Sequence, residues 1–142
     1  MTVVEPASPM SVTPAVIRRD APRVRRGFTT EVSIAGTEYQ VLISAGDDHR
    51  PANVYIEHAK HGSFGNGMLQ VVGALLTESL HHGLPLERVV ALLLHTRFEP
   101  HGLTDDPDIR WVTSPIDYVA RLLALHYLPR QRCIELGVLP TR

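Results

Sequence analysis

The chain predicts an α+β domain: a small antiparallel sheet of about three strands, then three helices packed on it. Two changes of rhythm predict this. Apolar residues alternate with polar ones between residues 28 and 57, and from residue 63 onward they recur every three or four positions. Glycine or proline punctuates the switches between segments.

The first strand is FTTEVSI, with Phe28, Thr30, Val32 and Ile34 inward and Thr29, Glu31 and Ser33 outward. AGT at 35–37 is a turn signal, and EYQVLIS follows with Tyr39, Val41 and Ile43 on one face, giving a hairpin. After the polar loop AGDDHRPA, the run NVYIE makes a third strand with Val54 and Ile56 inward. So small a sheet needs a partner on its apolar face.

Helices supply it. SFGNGMLQVVGALLTESLHHG places Met68, Val71, Val72, Leu75, Leu76 and Leu80 in a predicted buried stripe, with Ser63 as N-cap and Gly83 at C′. Gly73 and Ala74 leave one flank nearly bare, open to a backbone, a second subunit or a ligand. PLERVVALLLHT starts at Pro85 and lines up Leu86, Val89, Val90, Leu93 and Leu94. A third helix runs from Ser114 to about Leu128, with Ile116, Val119, Ala120, Leu123 and Tyr127 inward, until Pro129 stops it.

Flanking segments are less regular. Residues 1–22, rich in Pro, Ser, Thr and Ala, read as a flexible arm ending in the basic run RRDAPRVRR (18–26). The body of the domain spans 23–130, and the tail 131–142 has no firm assignment. A length of 142 residues with 44% apolar and 20% charged content suits one domain with a real core. The net charge of −1 provides no global field for nucleic acid, so none is expected as a partner. Cys133, alone, forms no internal disulfide, CxxC pair or cysteine zinc site. Without a signal-peptide pattern or a run of roughly 20 apolar residues, a cytoplasmic protein that meets no membrane is expected.

Chemistry-bearing patterns are sparse. No HExxH pair or GxSxG elbow occurs, and His81 and His82 are too close on a helix to share a metal, so neither a metal nor a catalytic residue is expected. KHGSFGNG gathers Lys60, His61, Ser63, Gly65 and Asn66 at a helix start, where free N–H groups and the dipole favour an anion; the glycines also serve the turn itself. In TRFEPHGLTDDPDIRWVTSPIDY, Ser114, Pro115 and Asp117 form a near capping box. What is left is Arg97 beside Phe98 and Arg110 beside Trp111. These pairs suit stacking on a ring and gripping a phosphate or carboxylate. Equally, Arg97 or Arg110 pairs Glu99 or Asp117 and pins the loop.

The pieces KHGS, HGLPLE, TRFEPHG and TSPIDYVARLLALHYL, in that order over about residues 24–130, resemble the TSCPD domain. That domain forms the C-terminal part of adenosylcobalamin-dependent ribonucleotide reductases. The resemblance implies that cobalamin and radical chemistry belong to the barrel of those enzymes, not to this chain. It also implies that the cysteine naming the motif is missing, since Thr113, Ser114, Pro115, Ile116 and Asp117 stand in its place. A module accessory to deoxyribonucleotide synthesis, partnered by a reductase catalytic subunit, is therefore expected. Small phage proteins that sequester cyclic nucleotide or cyclic ADP-ribose signals also look similar, which implies a nucleotide ligand held by Lys60, His61, Ser63, Gly65, Asn66, Arg97, Arg110 and Trp111. A structural oligomerisation module is the third expectation, and a homo-oligomer fits all three.

Overall fold

The computed structural model describes residues 18–58, 60 and 62–141. The first strand, β1 (Gly27–Ile34), pairs antiparallel with β2 (Thr37–Ala45), which pairs antiparallel with β3 (Pro51–His58), in the order β1-β2-β3. Ala35 and Gly36, both at positive φ, make the two-residue turn whose twist matches the hairpin. Val32, Ile34, Tyr39, Val41, Ile43, Val54 and Ile56 form one buried face, as the alternation predicts.

Four helices follow: α1 (Phe64–His81), α2 (Leu86–Leu93), α3 (Pro115–Tyr127) and α4 (Arg130–Glu135). The fourth lies largely in the tail that carries no assignment from sequence. It is short, and its Cys133 Sγ donates to the Ala124 carbonyl of α3 at 3.2 Å. The third is the central helix: all its residues from Pro115 to Ala124 except Arg121 are buried. Val89 and Val90 of α2 are buried, and Leu86, Leu93 and Leu94 pack against the same core.

Helix α1 departs from the predicted stripe. Its buried residues are Asn66, Leu69, Gly73, Leu76 and His81, while Met68, Val71 and Leu75 face outward. The physical reason is that α1 packs along the free edge of β3. Thr77 Oγ1 accepts the Val54 N–H (3.0 Å) and donates to the Val54 carbonyl (3.2 Å), and Asn66 Oδ1 accepts the His58 N–H (2.9 Å). An edge strand's backbone groups need such partners. Gly73 permits the approach, since a Cβ there would sit 2.9 Å from the Val54 carbonyl oxygen. At Gly73 the flank of α1 is thus occupied by its own sheet, while Ala74 is exposed.

The opposite edge is covered as well. A two-stranded ribbon, β4 (Gly102–Leu103) with β5 (Trp111–Val112), forms within the connection between α2 and α3. From it the Leu103 carbonyl accepts the Ala35 N–H (2.9 Å), and Asp105 Oδ1 accepts the Ser33 N–H (2.8 Å) of β1.

Candidate functional site

Asp117 organises the connection between α2 and α3. Its side chain is 0% exposed and accepts three hydrogen bonds: His95 N–H at 2.7 Å, Thr113 N–H at 3.1 Å and Arg121 Nε at 3.0 Å. Burial pushes this carboxyl up, but the two backbone N–H groups and the Arg121 guanidinium outweigh it and hold it below the usual carboxylate range. Ser114 Oγ, the N-cap of α3, accepts the Asp117 N–H at 2.9 Å, as the capping pattern predicts. Asp117 is paired by Arg121, one turn along α3, and not by Arg97 or Arg110.

Further bonds clasp both ends of the connection. Thr96 Oγ1 and Ser114 Oγ lie 2.8 Å apart, Thr113 Oγ1 donates to the Thr96 carbonyl at 2.8 Å, and the Phe98 N–H donates to the Thr113 carbonyl at 3.2 Å. In the middle, Tyr118 Oη donates to Asp106 Oδ2 at 2.6 Å. Burial, then that carboxylate, pushes the Tyr118 phenol well above its ordinary range. Asp106 Oδ1 accepts the Asp108 N–H at 2.9 Å, which shapes the turn.

What this frame displays is a surface. Leu103 and Trp111 are cross-strand partners on the ribbon, so their side chains share a face, and both are exposed. Phe98 is partly exposed nearby in the chain, beside Arg97. Arg97 and Arg110 are exposed, and among the described residues their guanidiniums make no hydrogen bond or ion pair. The sequence reading leaves open whether these arginines pin the loop; the loop is pinned without them.

The other half of the expected ligand set sits at the start of α1. Ser63 Oγ accepts the Asn66 N–H (3.1 Å) and donates to the Lys60 carbonyl (2.8 Å), while Asn66 is buried against β3. Both side chains thus have work within the fold. Lys60 and Gly65 are exposed, and His61 lies outside the described residues. No hydrogen bond or ring contact joins this group to Arg97, Arg110 or Trp111 among the described residues. Sequence reasoning missed Thr96 and Thr77, for which no local signal exists, and the bond from Tyr118 to Asp106, twelve residues away. Arg121 had one, its i,i+4 spacing from Asp117.

The concave surfaces described have volumes of about 320, 500 and 550 Å³. Two of the three carry carboxylates of the β1 edge, Glu31 and Asp105 among them. Among the described residues no group of three or more His, Cys, Asp or Glu side chains is placed to hold a metal.

Comparison with known proteins matches this frame to one region of much larger ones. The chain is 36% identical over 122 residues to a vitamin B12-dependent ribonucleotide reductase of Streptantibioticus cattleyicolor, covering 86% of this chain and 20% of that protein. The reductase of the same name from Streptomyces avermitilis is 35% identical over 122 residues, covering 86% and 13%. That of Rhodopirellula baltica is 38% identical over 111 residues, covering 78% and 11%. The chain therefore spans a fifth or less of these relatives' lengths. No solved structure matches it. The TSCPD domain model covers residues 12–127, which takes in the sheet, the clasped connection and the helices through α3, and the chain belongs to the TSCPD domain family.

Proposed function

We propose that this chain is a TSCPD module accessory to deoxyribonucleotide synthesis, not catalytic alone, that docks on the catalytic part of a vitamin B12-dependent ribonucleotide reductase. One observation carries the reading. Two exposed arginines without internal partners stand beside exposed Trp111 and Phe98 on a connection clamped by Asp117. Tryptophan and arginine are the side chains that dominate binding energy at protein interfaces, and a rigid mount spares the entropy of ordering them. In the relatives the matched region is joined to four-fifths or more of additional chain, which supplies a partner for it. Adenosylcobalamin, on this reading, stays with that partner.

The test is calorimetric titration of the chain into the catalytic subunit, with nucleotide reduction assayed alongside. Binding is expected, with Trp111→Ala and Arg97→Ala each weakening it at least about tenfold. Absence of binding, or binding that ignores both substitutions, refutes the reading.

The same free guanidiniums beside Trp111 support a second reading, a nucleotide-binding module that sequesters a cyclic nucleotide or cyclic ADP-ribose type signal. Arg110→Ala then abolishes binding to such a nucleotide in the absence of any reductase. A flat titration against a nucleotide panel at millimolar ligand removes it.

A further inference from the structure

The ribbon that covers the edge of β1 stops at Ser33, whose N–H donates to Asp105 Oδ1 and whose carbonyl accepts the Asp105 N–H at 3.2 Å. Before Ser33 the edge is open. The Ala45 N–H donates to the Arg26 carbonyl at 2.7 Å, so even-numbered residues of β1 bond β2 and odd-numbered ones face away from it. Gly27, Thr29 and Glu31 therefore turn their N–H and C=O groups outward. All three residues are exposed, and among the described residues nothing bonds those groups. An unpaired strand edge is a template for another strand.

The two ends of this open edge carry opposite charge. Arg23, Arg25 and Arg26, all exposed, lead into it. The run is fixed to the domain: the Arg19 N–H donates to the His81 carbonyl (2.8 Å), and Arg25 Nη1 donates to the Pro22 carbonyl (2.9 Å). Glu31, Asp105, Asp106 and Asp108 gather at the other end, where they line one concave surface. Among the described residues none of these three arginines and four carboxylates is in an ion pair. Their hydrogen bonds go to neutral groups: the Pro22 carbonyl for Arg25, the Ser33 N–H for Asp105, and the Asp108 N–H and Tyr118 Oη for Asp106. Asp20 and Asp48, near the basic end, face Arg18 and Arg50.

We propose that β1 pairs antiparallel with β1 of a second copy of this chain, about a two-fold axis at Thr29, the centre of the open edge. The two three-stranded sheets then become one continuous sheet. Thr29 bonds the partner's Thr29, and Gly27 bonds the partner's Glu31. Charge chooses the second copy and the direction. Antiparallel pairing sets Arg25 diagonal to the partner's Glu31 on the same face, within reach of long side chains. It also brings the basic run of each copy to the acidic turn of the other, whereas parallel pairing sets like ends together. The contact is self-complementary, and it removes the open edge from both copies. Pairing over residues 27–31 alone is short of the roughly 1,200 Å² at the lower end of specific interfaces, so the dimer forms and dissociates with concentration.

Sedimentation velocity of the full chain from about 10 µM to 1 mM, with amide hydrogen exchange alongside, tests this. A monomer–dimer equilibrium is expected, in which exchange of the Thr29 and Glu31 N–H groups slows as dimer forms. Thr29→Pro removes an outward N–H and no bond to β2, so the fold stays and dimerisation weakens at least about tenfold. Arg25→Glu and Glu31→Arg each weaken it as well. Mixing those two variants restores a heterodimer, because every charge pair is then opposite again. Thr29→Cys cross-links on oxidation, since paired Cα atoms lie about 5.5 Å apart, and Glu31→Cys does not; native Cys133 is buried. A chain that stays monomeric to 1 mM overturns the proposal. So does a dimer that leaves Thr29 and Glu31 exchange unchanged, one that ignores Thr29→Pro, or a mixture of the two charge variants no tighter than either alone. Dimerisation only after residues 1–17 are removed overturns it too, and makes that segment the occupant. Arg97, Arg110 and Trp111 take no part in these measurements, so this proposal and the reductase reading fail separately.

Discussion

Replacing Asp117 by alanine removes the acceptor of three hydrogen bonds at a site with no water access, and the structure sets the scale of the loss. The His95 and Thr113 N–H groups are left without the partner at 2.7 and 3.1 Å. An orphaned buried donor costs about 1–3 kcal/mol. Arg121 is 17% exposed, so its guanidinium turns to solvent and adds little. The sum, about 3–5 kcal/mol, equals what breaking a buried pair by deleting one partner costs. For a domain of this size that is a fall of about 10–20 °C in Tm. Asp117→Asn keeps one acceptor but turns an amide NH₂ toward a donor, and falls between alanine and wild type. Arg121→Ala leaves both backbone bonds in place and costs about 1–2 kcal/mol. Thermal and urea unfolding give the ranking, and hydrogen exchange at His95 and Thr113 gives the location. The reasoning is refuted if Asp117→Ala unfolds within about 2 °C of wild type, or if Arg121→Ala costs as much as Asp117→Ala. The pH dependence follows in sign. Because folding holds the Asp117 carboxyl below its ordinary value, its contribution is fully present above pH ~4 and is lost as pH falls through the folded value. The gap between wild type and Asp117→Asn therefore narrows in acid.

Gly73→Ala pushes a methyl to 2.9 Å from the Val54 carbonyl oxygen, and a loss of about 1–3 kcal/mol in urea unfolding is expected, where an ordinary helix interior gains from the change. Burial raises Tyr39 to about 12, and burial with Asp106 raises Tyr118 further, so near-ultraviolet titration shows phenols ionising late. Both groups are neutral in the fold; their contribution is intact below pH ~10 and lost as pH rises. Early titration of all four tyrosines in the folded protein contradicts this. Cys133 is 1% exposed and bonded to the Ala124 carbonyl, with its thiol pushed up by burial; a thiol reagent labels it at the rate of unfolding and not faster.

The sequence by itself determined what is periodic or local. Alternation in three runs placed Val32, Val41, Ile43, Val54 and Ile56 on one buried face, because side chains on a strand can only alternate. Ser114, Pro115 and Asp117 announced the start of α3, because an N-cap satisfies groups within four residues of itself. The order of KHGS, HGLPLE, TRFEPHG and TSPIDY pointed to the family that the domain match then established. Tertiary structure decided whatever depends on a partner far along the chain. Two apolar stripes compete on α1, and sequence spacing favoured Met68, Val71 and Leu75 as the buried one. The edge of β3 settled the matter, since its free N–H and carbonyl groups needed Thr77 and Asn66, and only Gly73 let the backbones close. In the same way Asp117 was legible as a cap but not as the hub for His95, Thr113 and Arg121. A carboxylate's full set of donors exists only after chain segments 22 residues apart have met.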